Sequence, residues 1–263
     1  MKQKRPVVAA IAIFSLVLLY LPSLAVAYFS VNNARYGLAW RGFTLDWYAK
    51  LLADRYVIEA TCNSLVLATV STVISTALGT SLALGLYRTP WPASLRRLFE
   101  LAVNLPVVVP DIIMAVALAM AFNCLRLVSS VFEMGMVTLI LGHVTFQISF
   151  VCLVVRSRLE SLGKDTDEAA TDLYASRFFH FRRVTLPLIM PGVVAGAMLA
   201  FTLSLDDFVI SFFTHGPESV TLPIFIFASI KRGLTPEIHA LSTLMMIATI
   251  VPILLIERIS RKI

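Results

Sequence analysis

Apolar runs long enough to cross a bilayer recur along this chain, and such runs leave the backbone few ways to satisfy its hydrogen bonds. Crossing the hydrocarbon core takes roughly 20 residues of helix. Within lipid, only helices and closed barrels pair every amide. Six stretches reach that length: Val7 to Phe29, Thr61 to Tyr87, Leu98 to Phe122, Met134 to Val155, Leu188 to Phe213 and Ile238 to Ile256. An all-α integral membrane protein with six transmembrane helices follows, as one membrane domain over residues 1–263. With 58% hydrophobic and 14% charged residues, there is too little polar surface for an ordinary soluble globule.

The first run follows Lys2, Lys4 and Arg5 and carries Ala25-Val26-Ala27, the small-x-small form of a cleavage site. Its apolar length exceeds the roughly 7 to 15 residues of a secretory core, so a retained anchor is expected. Placing the amino terminus in the cytoplasm puts most of the 22 Lys and Arg inside, among them Arg88, Arg96, Arg97, Arg156, Arg158, Arg182, Arg183 and Arg258. The excess of basic residues in cytoplasmic segments selects that orientation, with both termini inside.

The first outer loop holds Asp46-Trp47-Tyr48 followed by Leu51 and Leu52, the pattern of a short interfacial helix or a packed loop. In the last outer loop, Leu222 to Ile230 is apolar but too short to span, which predicts a re-entrant or interfacial segment. Cys62, Cys124 and Cys152 lie far apart in or beside apolar runs and read as buried thiols, with neither disulfide nor metal-ligand spacing.

Carboxylates interrupt two of the spans: Asp111 after Pro106 and Pro110, and the adjacent Asp206 and Asp207. An Asp at the middle of a transmembrane helix costs about 2.5 to 3.5 kcal/mol, so each needs a partner, a cavity or water. No Lys or Arg stands at a span centre to pair with them. Unpaired acids in a water-filled path attract cations. On a continuous helix, neighbouring residues point about 100° apart, so one of Asp206 and Asp207 is expected on the route and the other at an interface or the outer mouth. His143, Phe146 and Phe150 on the fourth span read as packing residues, the histidine hydrogen-bonded, and Glu218 in the last outer loop as a solvated acid.

One long polar segment lies between the fourth and fifth spans, Asp165 to Pro191. It alternates Asp165, Asp167, Glu168 and Asp172 with apolar residues and then Arg177, Arg182 and Arg183. Helical spacing of its apolar residues predicts a short amphipathic hairpin that ends at Pro187 and docks on a partner. Glu168-Ala169-Ala170, with Ala175-Ser176, Leu186-Pro187 and Pro191, resembles the EAA loop of binding-protein-dependent ABC importer permeases. Where that pattern has Gly, this chain has Tyr174, so the turn between the two short helices is expected to be built differently.

The likeness extends through Asn63-Ser64-Leu65, Pro110-Asp111-Ile112-Ile113-Met114-Ala115, Gly142-His143-Val144-Thr145-Phe146, Leu203-Ser204-Leu205-Asp206-Asp207 and Pro236-Glu237-Ile238-His239. These are similar to the permease subunits of spermidine/putrescine ABC importers, and more to the second of the two subunits than to the first. The resemblance implies a type I importer permease fold with a cytoplasmic coupling helix and a core at residues 61–256. It also implies a bacterial inner-membrane location, a second permease subunit, a dimer of ATPases carrying ATP and Mg, and a periplasmic polyamine-binding protein. Asp111, Asp206 and Asp207 become candidates for the polyamine path, and Glu168, Ala169, Ala170 and Tyr174 for ATPase coupling.

Other chemistries fit less well. Gly163-Lys164 lacks a Gly five residues earlier, where Arg158 stands, and Asp165 follows it, so no phosphate-binding loop is present. The four His show no HExxH spacing and there is no GxSxG elbow, which argues against a metalloprotease or hydrolase. No cofactor is expected on the chain, and no basic cluster interleaved with aromatics points to nucleic acid. An ABC permease for another small solute shares the coupling loop. A secondary transporter would also use intramembrane acids, but no inverted repeat is evident.

Overall fold

The computed structural model describes residues 6–34, 39–162, 177–233 and 235–260, and these are helical with short connections. In chain order the helices are α1 (Pro6–Ser30), α2 (Asp46–Ala53), α3 (Arg55–Arg88), α4 (Ala93–Val108), α5 (Asp111–Leu125) and α6 (Met136–Leu162). Then come α7 (Arg177–His180), a π-turn (Phe181–Thr185), α8 (Leu186–Asp206), α9 (Val209–Thr214), α10 (Leu222–Arg232) and α11 (Pro236–Ser260).

Among the described residues four helical segments are long and apolar enough to span: Ala9–Ser30, Arg55–Arg88, Met136–Leu162 and Phe181–Asp206. The sixth apolar run is helical throughout, within α11. The third departs from expectation. It is split into α4 and α5, bent by 113°. Pro110 brings no N–H and pushes Val109 to extended backbone (φ −73°, ψ 133°), so the α4 ladder stops there and a new helix begins at Asp111. The fifth run is also interrupted: α8 stops at Asp206 because Asp207 is extended (φ −67°, ψ 122°).

The polar hairpin was expected to end at Pro187, whereas helix runs on from Arg177 through the π-turn into α8. Pro187 cannot donate to the Arg183 carbonyl and its ring crowds it. The turn widens, and the Leu186 N–H donates to the Phe181 carbonyl five residues back.

By their contacts the residues form two compact units, one of residues up to Glu59 with those from Phe225 on, the other Ala60–Ile224. In the first, α1 and α2 both pack on α11. The expected interfacial segment is a helix, α2, whose Trp47 and Leu51 are buried. Trp47 donates Nε1–H to the Asn32 carbonyl at 2.9 Å. Asn32 Oδ1 accepts from the amides of Ala34 and Arg41, and Nδ2 donates to Ala39, so one buried amide organises the loop. α1 presents Ile11, Phe14 and Leu19 on its surface, as a helix facing lipid or another chain does.

The second unit is built around α6. Leu139, His143, Gln147, Val151 and Val155, spaced by four, are each 0% exposed. Two stripes of small residues close on it: Ser71, Ser75, Gly79 and Ala83 of α3, and Gly192, Gly196, Ala200 and Ser204 of α8, again every four residues. A Cβ on Gly79 would lie 2.8 Å from Val151 Cβ and 2.9 Å from the Ile148 carbonyl oxygen. Helices in lipid associate through this kind of close backbone approach, since burial from water contributes little there.

Of the three thiols only Cys152 is buried; Cys62 and Cys124 lie on the exposed helix surface. The expectation of three buried thiols is thus corrected for two. Apolar sequence alone does not separate a face turned to protein from one turned to lipid.

Candidate functional site

Asp111 occupies the first position of α5, immediately after the Pro110 break, and is exposed. The start of a helix carries partial positive charge from its unpaired amides, which favours a carboxylate there. Met114 and Ala115, one turn further on, pack in a cluster with Phe146 and Phe150 of α6, Leu203 of α8, and Val209 and Ile210 of α9. The residues one turn either side of Asp206–Asp207 thus share a cluster with the residues one turn past Asp111. Phe146 and Phe150 pack edge to face at 6.4 Å between centroids.

The adjacent acids part company at the α8–α9 break. Asp206 ends α8 and is exposed, whereas the Asp207 side chain is only 11% exposed. Asp207 Oδ2 accepts from the Ser211 amide at 2.8 Å and Oδ1 from the Ile210 amide at 3.3 Å, capping α9. His143 Nε2 lies 3.4 Å from Asp207 Oδ2 and 3.0 Å from Ser211 Oγ. On the other side of the ring, Nδ1 is 2.8 Å from Ser204 Oγ, which is itself 3.4 Å from Ser71 Oγ. A carboxylate can only accept, so in the neutral ring Nε2 carries the proton and Nδ1 accepts from Ser204. The fully buried imidazole joins α6 to α8 and α9 through polar bonds, and Ser204 extends the set to Ser71 of α3.

Sequence reasoning found His143 as a hydrogen-bonded packing residue but missed its partners. Ser204 and Ser211 sit seven residues apart, on opposite sides of a helix break that no periodicity announced. It also missed what holds the outer loop to α3. Asn63 Nδ2 donates to the carbonyls of Glu218 and Val220, and Ser64 Oγ accepts from the Leu222 amide at 2.8 Å. Glu218 itself is exposed, as a solvated acid would be. Glu168, Ala169, Ala170 and Tyr174 lie outside the described residues. After that stretch, Arg88 Nη2 donates to Thr185 Oγ1 and Arg158 Nε to the Leu188 carbonyl, tying the π-turn and the start of α8 to α3 and α6.

Among the described residues no cluster of three His, Cys, Asp or Glu stands at metal-binding distances.

Comparison with known proteins shows the family. The spermidine/putrescine transport system permease protein PotC of Escherichia coli (strain K12) is 36% identical over 246 residues, 92% of this chain and 89% of that protein. The putrescine transport system permease protein PotI of the same strain is 38% identical over 229 residues, 87% of this chain and 81% of its own length. The crystal structure of a bacterial ABC transporter involved in the import of the acidic polysaccharide alginate superposes with a TM-score of 0.76 at 18% identity, covering 98% of this chain and 94% of that one. At that identity the likeness is one of fold. The model of the binding-protein-dependent transport system inner membrane component matches residues 75–263. This chain is a multi-pass membrane protein and belongs to that family of transport permeases.

Proposed function

We propose that this chain is a membrane-spanning subunit of an ATP-driven ABC importer that carries polyamines, spermidine or putrescine, across a bacterial inner membrane into the cytoplasm. The observation that carries the reading is the 36 to 38% identity, over most of the chain, to permeases named for those amines. The exposed carboxylates of Asp111 and Asp206 support it. A carboxylate at a helix break inside the membrane does not face lipid, because the cost is too high. It faces water or another subunit. A di- or triamine carries separated ammonium groups, which separated carboxylates match better than they match a monovalent ion.

In this reading residues 1–263 act as one permease domain, with the core at 61–256, and both termini lie in the cytoplasm. The chain pairs with a second permease subunit and receives its substrate from a periplasmic polyamine-binding protein. It hydrolyses nothing itself: ATP and Mg sit on a dimer of ATPase subunits, on which Glu168, Ala169, Ala170 and Tyr174 dock. Asp111 and one of Asp206 and Asp207 line the route.

The test is ATP hydrolysis by the assembled complex in proteoliposomes. Polyamine-loaded binding protein is expected to stimulate hydrolysis, and unloaded binding protein to stimulate it less. Equal rates with and without the amine would overturn the substrate assignment.

A further inference from the structure

We infer, building on the reading of this chain as a polyamine permease, that His143, Ser204, Ser211 and Asp207 form an internal latch that fixes the α8–α9 break. The latch leaves Asp206 as the member of the acidic pair that meets the substrate. Asp207 and His143 are positioning residues.

The argument starts from what Asp207 has left to offer. Its oxygens already face the amides of Ile210 and Ser211 and the His143 ring, at 3.3, 2.8 and 3.4 Å. A carboxylate has about four lone-pair sites, and this nearly buried one accepts from two backbone amides with the His143 ring nitrogen close beside it. What remains for an arriving ammonium is little, because the side chain is only 11% exposed. Asp206, by contrast, is the last residue of α8 and is exposed. Its position depends on where α8 stops, which the extended backbone at Asp207 and the capping of α9 together set.

His143 holds the two sides of that break in register. Its ring is 0% exposed, with Ser204 at 2.8 Å on the α8 side and Ser211 at 3.0 Å on the α9 side. Both serines are buried as well, so these bonds do not compete with water. Gly142, the neighbour of His143, admits α9 closely: a Cβ there would come 3.2 Å from Ile210 Cγ2. Removing the ring would leave buried hydroxyls and a carboxylate short of a partner and allow α8 to end elsewhere.

The test is a double-mutant cycle on putrescine uptake by vesicles carrying the full complex, with assembled complex quantified by affinity pull-down. Asp206→Asn is expected to raise KM about tenfold, the loss of one charge-assisted contact. His143→Leu should raise KM several-fold alone and not at all in the Asp206→Asn background, because it acts through Asp206. Ser211→Ala, a milder change, should raise KM by about threefold, the loss of one buried hydrogen bond, with the same non-additivity. His143→Gln, whose amide nitrogen reaches the place of Nε2, should restore most of the affinity.

A rise in KM for Asp206→Asn, combined with effects of His143→Leu and Ser211→Ala that multiply it or alter only the amount of complex, overturns the latch and leaves the polyamine reading standing. An unchanged KM for Asp206→Asn with a raised one for Asp207→Asn also overturns it, reversing the roles of the pair. Wild-type vesicles that take up no putrescine overturn the underlying reading itself.

Discussion

The guanidinium of Arg88, in the last turn of α3, donates to the hydroxyl of Thr185 in the π-turn at 2.6 Å, although the two residues are 97 positions apart. Thr185 is 4% exposed, so its hydroxyl has no ready exchange with water. Thr185→Val should therefore destabilise the protein by about 1 kcal/mol. The measurement is the thermal midpoint in detergent. A shift no greater than that of Thr89→Val, an exposed neighbour, would count against a structural role for the bond.

Close approach of α3 to α6 makes a sharper prediction. Gly79→Ala places a methyl 2.9 Å from the Ile148 backbone oxygen, which cannot rotate away. The cost should be about 1 to 3 kcal/mol, the range for overpacking. Gly85→Ala, on the same helix with nothing within 4 Å of its Cβ, should be neutral or mildly stabilising. Equal behaviour of the two variants in denaturation would show that the helices do not meet at Gly79.

In the first unit, Asn32 is 2% exposed and holds three loop groups with its amide. Asn32→Ala should cost about 1 to 3 kcal/mol, the penalty for buried groups left without partners. It should also loosen Trp47, whose Nε1–H donates to the same residue's carbonyl. In a variant retaining Trp47 as its only Trp, emission should shift to the red. Unchanged emission and an unchanged thermal midpoint would refute the anchoring role.

Glu168→Lys tests the coupling assignment. Reversing a charge at a docking surface costs more than losing it, because like charges are then brought together and desolvated. The spans should insert as in wild type by cysteine-accessibility labelling, while uptake falls and the complex's ATPase no longer responds to loaded binding protein. Normal uptake with normal stimulation would sink the assignment.

Much of this was legible in the residues, for identifiable reasons. The apolar runs located the spans because lipid demands length and hydrophobicity and little else. The two acidic sites stood out for the same reason, since charge there is costly. What escaped was how the chain breaks. Pro106 and Pro110 announced a weakened ladder, yet a proline in a transmembrane helix can kink it or end it, and only packing decides which. At Asp206 and Asp207 the helical-wheel angle assumes a continuous helix, but α8 stops between them, so the angle does not say which acid turns inward. The answer lies in Ser204, Ser211 and His143, small or polar residues whose contacts cross helices and leave no local pattern.

The most direct measurement is uptake of radiolabelled putrescine and spermidine by membrane vesicles carrying this chain with its partner subunits, wild type beside Asp111→Asn. The account predicts ATP-dependent entry of at least one amine, and a fall in uptake of about tenfold in the variant at equal amounts of assembled complex, as expected when a charge-assisted contact is lost. Vesicles that take up neither amine, or an Asp111→Asn variant that transports at the wild-type rate, would contradict it.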